Sequence, residues 1–557
     1  MGANLVIRGG TVVDGSGEPG RLADVAVTGG VISEIGHGLD GDRVLDASGH
    51  VVAPGFVDVH THYDAQVFWD PALTPSSWHG VTTVIAGNCG FTLAPCRPEH
   101  RGLLARTLEH VEDMSLATLE AGVPWDFETF PELLDSIERR GTVLNYGSYV
   151  GHTAVRLYVM GDDGYERAAT DDELARMAGV VREALLAGAM GFATTSAPTH
   201  AGDGGRPVPS RLADRHELEV LIAPMGELQR GVAEMVIGDH LKHADVYELQ
   251  RTIGRPITWT ALLTIKGFPY HEDVAAMHAA RRAEGVDVWP QITCRPLVFQ
   301  MNMAEPFTFN VVPIFAELLA LPLEARVERY RDPQWRRRAQ EELDRGRFLR
   351  TRWDSVSVAE TTTHPELVGR PVSEVAAEQG VAPLDVVLDV ALSEDLRTRF
   401  DSVLANDDPD GIAWLLQQEG MLLGLSDAGA HVSQICDACL PTDLLGGWVR
   451  ERGVLPLERA VRKLTGEPAD VFSLAGRGTG RGYLRPGCAA DVTVFDPDEV
   501  GPGPLRRVQD FPARGERLVA DRPTGMRHVI VNGTPIRVDG EPDERGVAAR
   551  PGRLLRA

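Results

Sequence analysis

Between residues 55 and 425, short apolar and β-branched segments alternate with stretches whose apolar residues recur at helical spacing, and this alternation restricts the fold most. Candidate strands fall at 55–59, 81–86, 143–150, 191–194, 232–237, 257–261, 286–292 and 422–425. Helices are expected between most of them, most clearly at 172–187 and 271–285. Strands joined by helices run parallel, because each crossover returns the chain to the same end of the sheet. The pattern therefore predicts an α/β protein of the (β/α)8, TIM-like barrel class. The stretch from about 296 to 410 is too long for one loop. It carries helical patterns at 313–319 and 335–345 and reads as an inserted helical segment.

The two chain ends read differently. Strand-like runs at 5–8, 11–13, 24–27, 31–35 and 51–53 are punctuated by Gly9-Gly10, Gly15, Gly17 and Gly29-Gly30. Near the other end, 491–495, 528–531 and 535–538 are strand-like, and Asn532-Gly533 is a hairpin turn. Neither end has enough apolar strands to close a core. The expectation is one small β-sandwich built from both, with residues 1–54 and 471–557 as its halves and 55–470 as the barrel.

Composition narrows the partners. With 80 acidic against 55 basic residues the net charge is −25, which argues against nucleic acid and anionic membranes. No apolar run approaches the ~18 residues of a membrane span, and the N-terminal sequence lacks the basic start and apolar stretch of a signal peptide. Six irregularly spaced cysteines do not form a disulfide framework. A cytoplasmic protein acting on a small molecule is expected, with a homo-oligomer left open.

The chemistry concentrates at predicted strand ends, where barrel active sites lie. Strand 55–59 runs into His60-Thr61-His62, and period-two alternation puts both imidazoles on one side, suited to a divalent transition metal. Cys89, in Gly87-Asn88-Cys89-Gly90 after the second strand, is a thiolate ligand or a small buried thiol. Asp427, in Ser426-Asp427-Ala428-Gly429 after the last strand, is a metal-side proton acceptor or a turn residue. His152, Ser196, Arg211 and Arg295 also fall near strand ends and are candidates for substrate binding, with structural use the alternative for each. Cys436 and Cys439 form a lone C-x-x-C and read as ordinary thiols.

Together these motifs resemble the amidohydrolase superfamily. The segments VIRGGTVVDGSG, VAPGFVDVHTH and GCAADVTVFDPD look like its paired terminal β segments. HTHYDAQ, GVTTVIAGNCGFTLAP, VGHTAVRLYVMG and LPLERAVRKLTGEPADVFSL resemble its D-aminoacylase branch. The resemblance implies metal ligation by His60, His62 and Cys89, with Cys89 in the bridging place, and Asp427 as ligand and catalytic acid–base. It implies a divalent transition metal, zinc first, as one or two ions. The family also draws one histidine each from strands five and six, and neither 231–237 nor 256–261 contains one. Glu234 is the candidate replacement or else a buried paired carboxylate, and His240 and His243 read as the start of a solvated helix. The implied activity is hydrolysis of a non-peptide amide C–N bond, of an N-acyl (D-)amino acid. Hydrolysis of a cyclic amide, an imide or a small peptide is one alternative, and a non-catalytic binding protein is another.

Overall fold

The run Val81–Ala86, VTTVIA, is mostly β-branched and buried at every position, as a strand is when a parallel sheet is covered on both faces. In the computed structural model, which describes residues 3–310, 312–318, 321–345, 351–476 and 480–557, it lies between Phe56–Asp58 and Asn145–Ser148 in a parallel sheet. A six-stranded sheet follows, with Val150–Gly151, Gly191–Thr195, Val232–Val236, Ile257–Thr260, Val288–Ile292 and Leu422–Leu423 side by side in that order, all parallel. Tyr149, between the two sheets, donates its backbone N–H to Ala86 O at 3.0 Å. At the other margin Thr61 forms a parallel bridge with Ala428. The α/β alternation expected from the sequence is present, and strand ends differ from expectation by no more than two residues, apart from the break at Tyr149.

Helices between these strands are punctuated by local chemistry. Asp171–Ala187 starts at a capping box in which Thr170 and Glu173 satisfy each other's backbone N–H, and it stops at Gly188, whose φ of 112° a side chain would resist. Among the described residues no helix is long and apolar enough to cross a membrane.

The two chain ends share one nine-stranded sheet. Val492–Phe495 pairs antiparallel with Val51–Pro54, and Leu5, Ile7, Val25, Val52, Val492 and Ile530 pack together. Runs 5–8 and 11–13 belong to one strand, Ala3–Val12, with a register shift at Gly9-Gly10. Gly41–Asp46 was not expected, because its GDRVLD sequence lacks apolar alternation.

Two expectations need correction. The insertion is not purely helical: Leu297–Met301, Val356–Glu360 and Arg399–Ala405 form an antiparallel sheet, and the segment has its own core around Phe309, Phe315, Trp335 and Phe400. Of its expected helices, 313–319 is seen as Pro313–Ala316, with residue 319 outside the described residues, and 335–345 as Pro333–Arg345. The C-terminal segment does not all join the terminal sheet. The hairpin Leu505–Val508 and Arg517–Ala520 packs on the strand-end side, where Arg517 bonds Thr74 and Leu518 N–H donates to Val432 O. The final residues run beside Asn145–Ser148, where Leu555 N–H donates to Tyr146 O. Their polar and short apolar stretches carry no periodicity that assigns them a neighbour.

Removing the residues after Gly487 would strip Val492–Phe495 from Val51–Pro54 and leave an unpaired apolar edge. The truncated chain is expected to aggregate, as read by light scattering. A soluble, monodisperse product with the full-length melting temperature would contradict this account of the terminal sheet.

Candidate metal centre

The segment that continues the first parallel strand, Phe56–Asp58, places His60 and His62 two positions apart, with ring centroids 5.4 Å from each other. Cys89 is delivered by a tight turn in which Gly87 and Gly90 adopt φ of 79° and Cys89 itself sits at φ 56°. A Cβ on Gly90 would come within 3.0 Å of Ala193 O, so glycine is needed there on two counts. Asn88 fastens the turn by donating to Thr61 O and Ile85 O. Cys89 Sγ then lies 3.5 Å from His60 Nε2 and 3.9 Å from His62 Nε2.

Asp427 arrives from the other margin of the parallel strands. Ser426 Oγ donates to Asp58 Oδ2 and His60 O, and His62 N–H donates to Ala428 O. These bonds dock the loop after Leu422–Leu423 onto the first strand. Asp427 Oδ1 lies 3.1 Å from His60 Nε2 and 3.6 Å from His62 Nε2.

Each imidazole is oriented through its other nitrogen. His60 Nδ1 hydrogen-bonds Gln291 Oε1 at 2.8 Å, and His62 Nδ1 lies 2.9 Å from Glu112 Oε1. Such partners fix ring orientation and tautomer in metal sites. The sequence alone did not point to either. Gln291 is an interior residue of the strand Val288–Ile292, and Glu112 ends a helix, 50 positions from its imidazole in the chain.

The electrostatics ask for a cation. Burial pulls the His60 imidazole down, but Cys89 and the Asp427 carboxylate override it and hold it well above its ordinary value. Burial is likewise outweighed at His62 by Glu112, Asp427 and Cys89. The two imidazoles in turn overcome burial at Asp427 and hold it well below the usual carboxylate range. Around them, burial pushes Asp58 up to about 6, Asp64 up to about 7, and Glu234 upward. Asp64 Oδ1 and Glu112 Oε2 are buried with no hydrogen-bond partner. Ligand atoms of His60, His62 and Cys89 all lie within 4.8 Å of one another, and two imidazoles with a thiolate are donors that a divalent transition metal takes. The residues present therefore fit a metal ion.

The other candidates are placed as follows. Glu234 is buried beside the cluster, accepting from Cys89 N–H at 2.9 Å and from Thr260 Oγ1 at 3.1 Å, and so braces the Cys89 turn. His152 is wholly buried, with one nitrogen on Thr194 Oγ1 and the other on Glu217, so the structural use is favoured. Ser196 Oγ accepts from the backbone of His240 and Leu241. Arg295 lies between Asp437 and Asp443. Arg211 lines a cavity of about 720 Å³, and its Nε has no hydrogen-bond partner although its fork bonds Asp239, Pro198 O and His200 O. His240 is exposed and His243 opens the helix His243–Ile253. All six cysteines are free, and burial pushes the Cys436 thiol up to about 11 and holds the Cys439 thiol well above its ordinary value.

Two measurements follow. Glu112→Gln should weaken metal affinity about 10–100-fold, and Cys89→Ala should lower metal occupancy while leaving the fold intact, as read by metal analysis and melting temperature; unchanged metal content in both would contradict the ligand geometry. The second concerns Glu217, where burial raises the carboxyl but His152 and Arg156 pull it down to about 2. A depressed carboxyl contributes stability that is present above its unfolded value and lost as pH falls through the folded one. Glu217→Gln should cost about 3–5 kcal/mol at neutral pH by stranding buried Arg156. It should also flatten the loss of stability between about pH 4 and pH 2. An acid-unfolding curve parallel to that of the unaltered protein would refute the pairing.

Comparison with known proteins agrees with this geometry. Residues 43–537 match the model of the amidohydrolase family. A D-aminoacylase of Alcaligenes xylosoxydans xylosoxydans is 31% identical over 540 residues, covering 96% of this chain and 94% of the relative. A D-aminoacylase structure concerned with that enzyme's binuclear metal center superimposes over 100% of both chains with TM-score 0.67 and 26% identity. N-acyl-D-glutamate deacylase from Bordetella bronchiseptica, complexed with zinc and a phosphonate inhibitor, also aligns over 100% of both chains, with TM-score 0.68 and 27% identity. This chain belongs to the amidohydrolase family, in its D-aminoacylase-like branch.

Proposed function

We propose that this chain is a metal-dependent hydrolase that cleaves the linear amide bond of an N-acyl-D-amino acid, releasing a carboxylic acid and the free amino acid. The observation that carries the reading is the meeting of His60, His62 and Cys89 within 4.8 Å, beside the Asp427 carboxylate. Zinc is the ion this imidazole and thiolate set suits first. One ion suits the residues better than two, because strands five and six contribute Glu234 and Thr260 in place of histidines and these two are bonded to each other. When bound, the ion lowers the pKa of a water and polarises a carbonyl.

The chain's own residues supply the rest. Gln291 and Glu112 keep the Nε2 atoms of His60 and His62 turned inward. Asp427 accepts a proton from the attacking water and returns it to the nitrogen as the C–N bond breaks. The hydroxyl thus ends on the acyl carbon and the proton on the amine. Arg211, which lines the cavity, is the group we assign to the substrate carboxylate. On the same reading the two parallel sheets form one (β/α)8 barrel over 55–470, meeting at Tyr149 and at Thr61 and Ala428. The strands of residues 1–54, with Val492–Phe495, Met526–Val531, Thr534–Val538 and Glu541–Pro542, supply the terminal β domain, and the 296–410 insertion rides on the barrel. A small molecule is the partner, the acidic charge disfavours nucleic acid and anionic membrane, the compartment is cytoplasmic, and a homo-oligomer is compatible with all of this.

Asp427→Asn keeps the shape and removes the base. Turnover of N-acetyl-D-amino acids should fall about 10²–10⁴-fold, with substrate binding and metal content little changed. Preference for the D over the L isomer and over a cyclic imide is expected in the same assay. Normal turnover by the Asn variant at full metal occupancy would remove Asp427 from the reaction.

A further inference from the structure

Four residues beyond Asp427, His431 lines the 720 Å³ cavity. Its backbone sits at φ 86°, a region that residues with a Cβ rarely enter. Such a conformation persists only where surrounding contacts over-determine it. Those contacts are present. Phe299 and Phe307, both from the insertion, approach the imidazole with ring centroids 5.6 and 5.4 Å away. The next residues are tied on every side: Val432 N–H donates to Glu112 O, Ser433 N–H and Oγ donate to Asp113, Arg507 donates to Ser433 O, and Arg399 donates to Ser433 Oγ. Yet neither ring nitrogen of His431 has a hydrogen-bond partner among the described residues, although Glu112, Asp427, His62 and His60 are all within electrostatic reach.

An imidazole held by aromatic rings and a clamped backbone, with its polar atoms unused and a cavity in front of it, is arranged to bond something that enters. We infer that His431 is the side chain that hydrogen-bonds the scissile amide group of the bound substrate. The inference rests on the hydrolytic reading above. It assigns His431 to the reacting atoms, on the side of the loop that Asp427 begins, and leaves the substrate carboxylate to Arg211.

The test is His431→Phe, which keeps the aromatic packing against Phe299 and Phe307 and the same backbone demand but has no N–H. With metal content and melting temperature unchanged, kcat for an N-acetyl-D-amino acid should fall about 10²–10³-fold, the usual effect of removing one donor to the reacting carbonyl. KM should stay within about threefold, since a contact made in the transition state registers in kcat. His431→Asn guards against misfolding, because asparagine tolerates positive φ and retains an N–H, and its kcat should fall between the two. Binding of a phosphonate analogue of the substrate, measured by calorimetry, should weaken about as much as kcat falls. Turnover equal to the unaltered enzyme, or a rise in KM alone, overturns the assignment. Absence of turnover by the unaltered enzyme on every acyl amino acid overturns the reading beneath it, and the assignment with it.

Discussion

The active end of this protein is organised by one electrostatic constraint. Asp427, Glu112 and Cys89 converge on the two buried imidazoles of His60 and His62. Buried charges of one sign are tolerable only with a compensating charge in place. The knot also joins parts of the chain far apart in sequence, because its members come from the first strand, the turn after the second, a helix end and the loop after the last. The margins of the parallel strands are tied together at the same place that needs a cation. The contacts that close the margins of the parallel strands therefore also aim the candidate ligands.

The sequence discloses what is local and hides what is distant. His60 and His62 are legible because two positions in a strand suffice to aim them together. Cys89 is legible because its flanking glycines announce a turn at a strand end. The same holds for Asp427, whose serine neighbour proves to be the anchor onto Asp58. Glu112 and Gln291 were not legible, since nothing in a helix terminus or a strand interior says which imidazole will lie opposite. His152 stood near a strand end and invited a functional reading. Its partners Thr194 and Glu217, the latter paired in turn with Arg156, are a consequence of packing that one-dimensional pattern does not contain.

Strands five and six repay the same scrutiny. Strands five and six bring a carboxylate and a hydroxyl, Glu234 and Thr260, to the side of the cluster. Here Glu234 supports the backbone of Cys89 and receives Thr260. The arrangement is internally consistent: each of these buried polar groups has a partner, as burial demands. Both side chains thus brace the turn that presents Cys89.

The pairing of Val51–Pro54 with Val492–Phe495 sets a timetable for biosynthesis. The first strands leave the ribosome roughly 440 residues before their partner does. At ordinary translation rates of about 5–20 residues per second, that is roughly 20–90 s during which one margin of the terminal sheet faces the cell without its neighbour. The nascent chain must pass that interval with an exposed strand edge, and factors that shield such edges have their longest opportunity at the beginning of this protein's life.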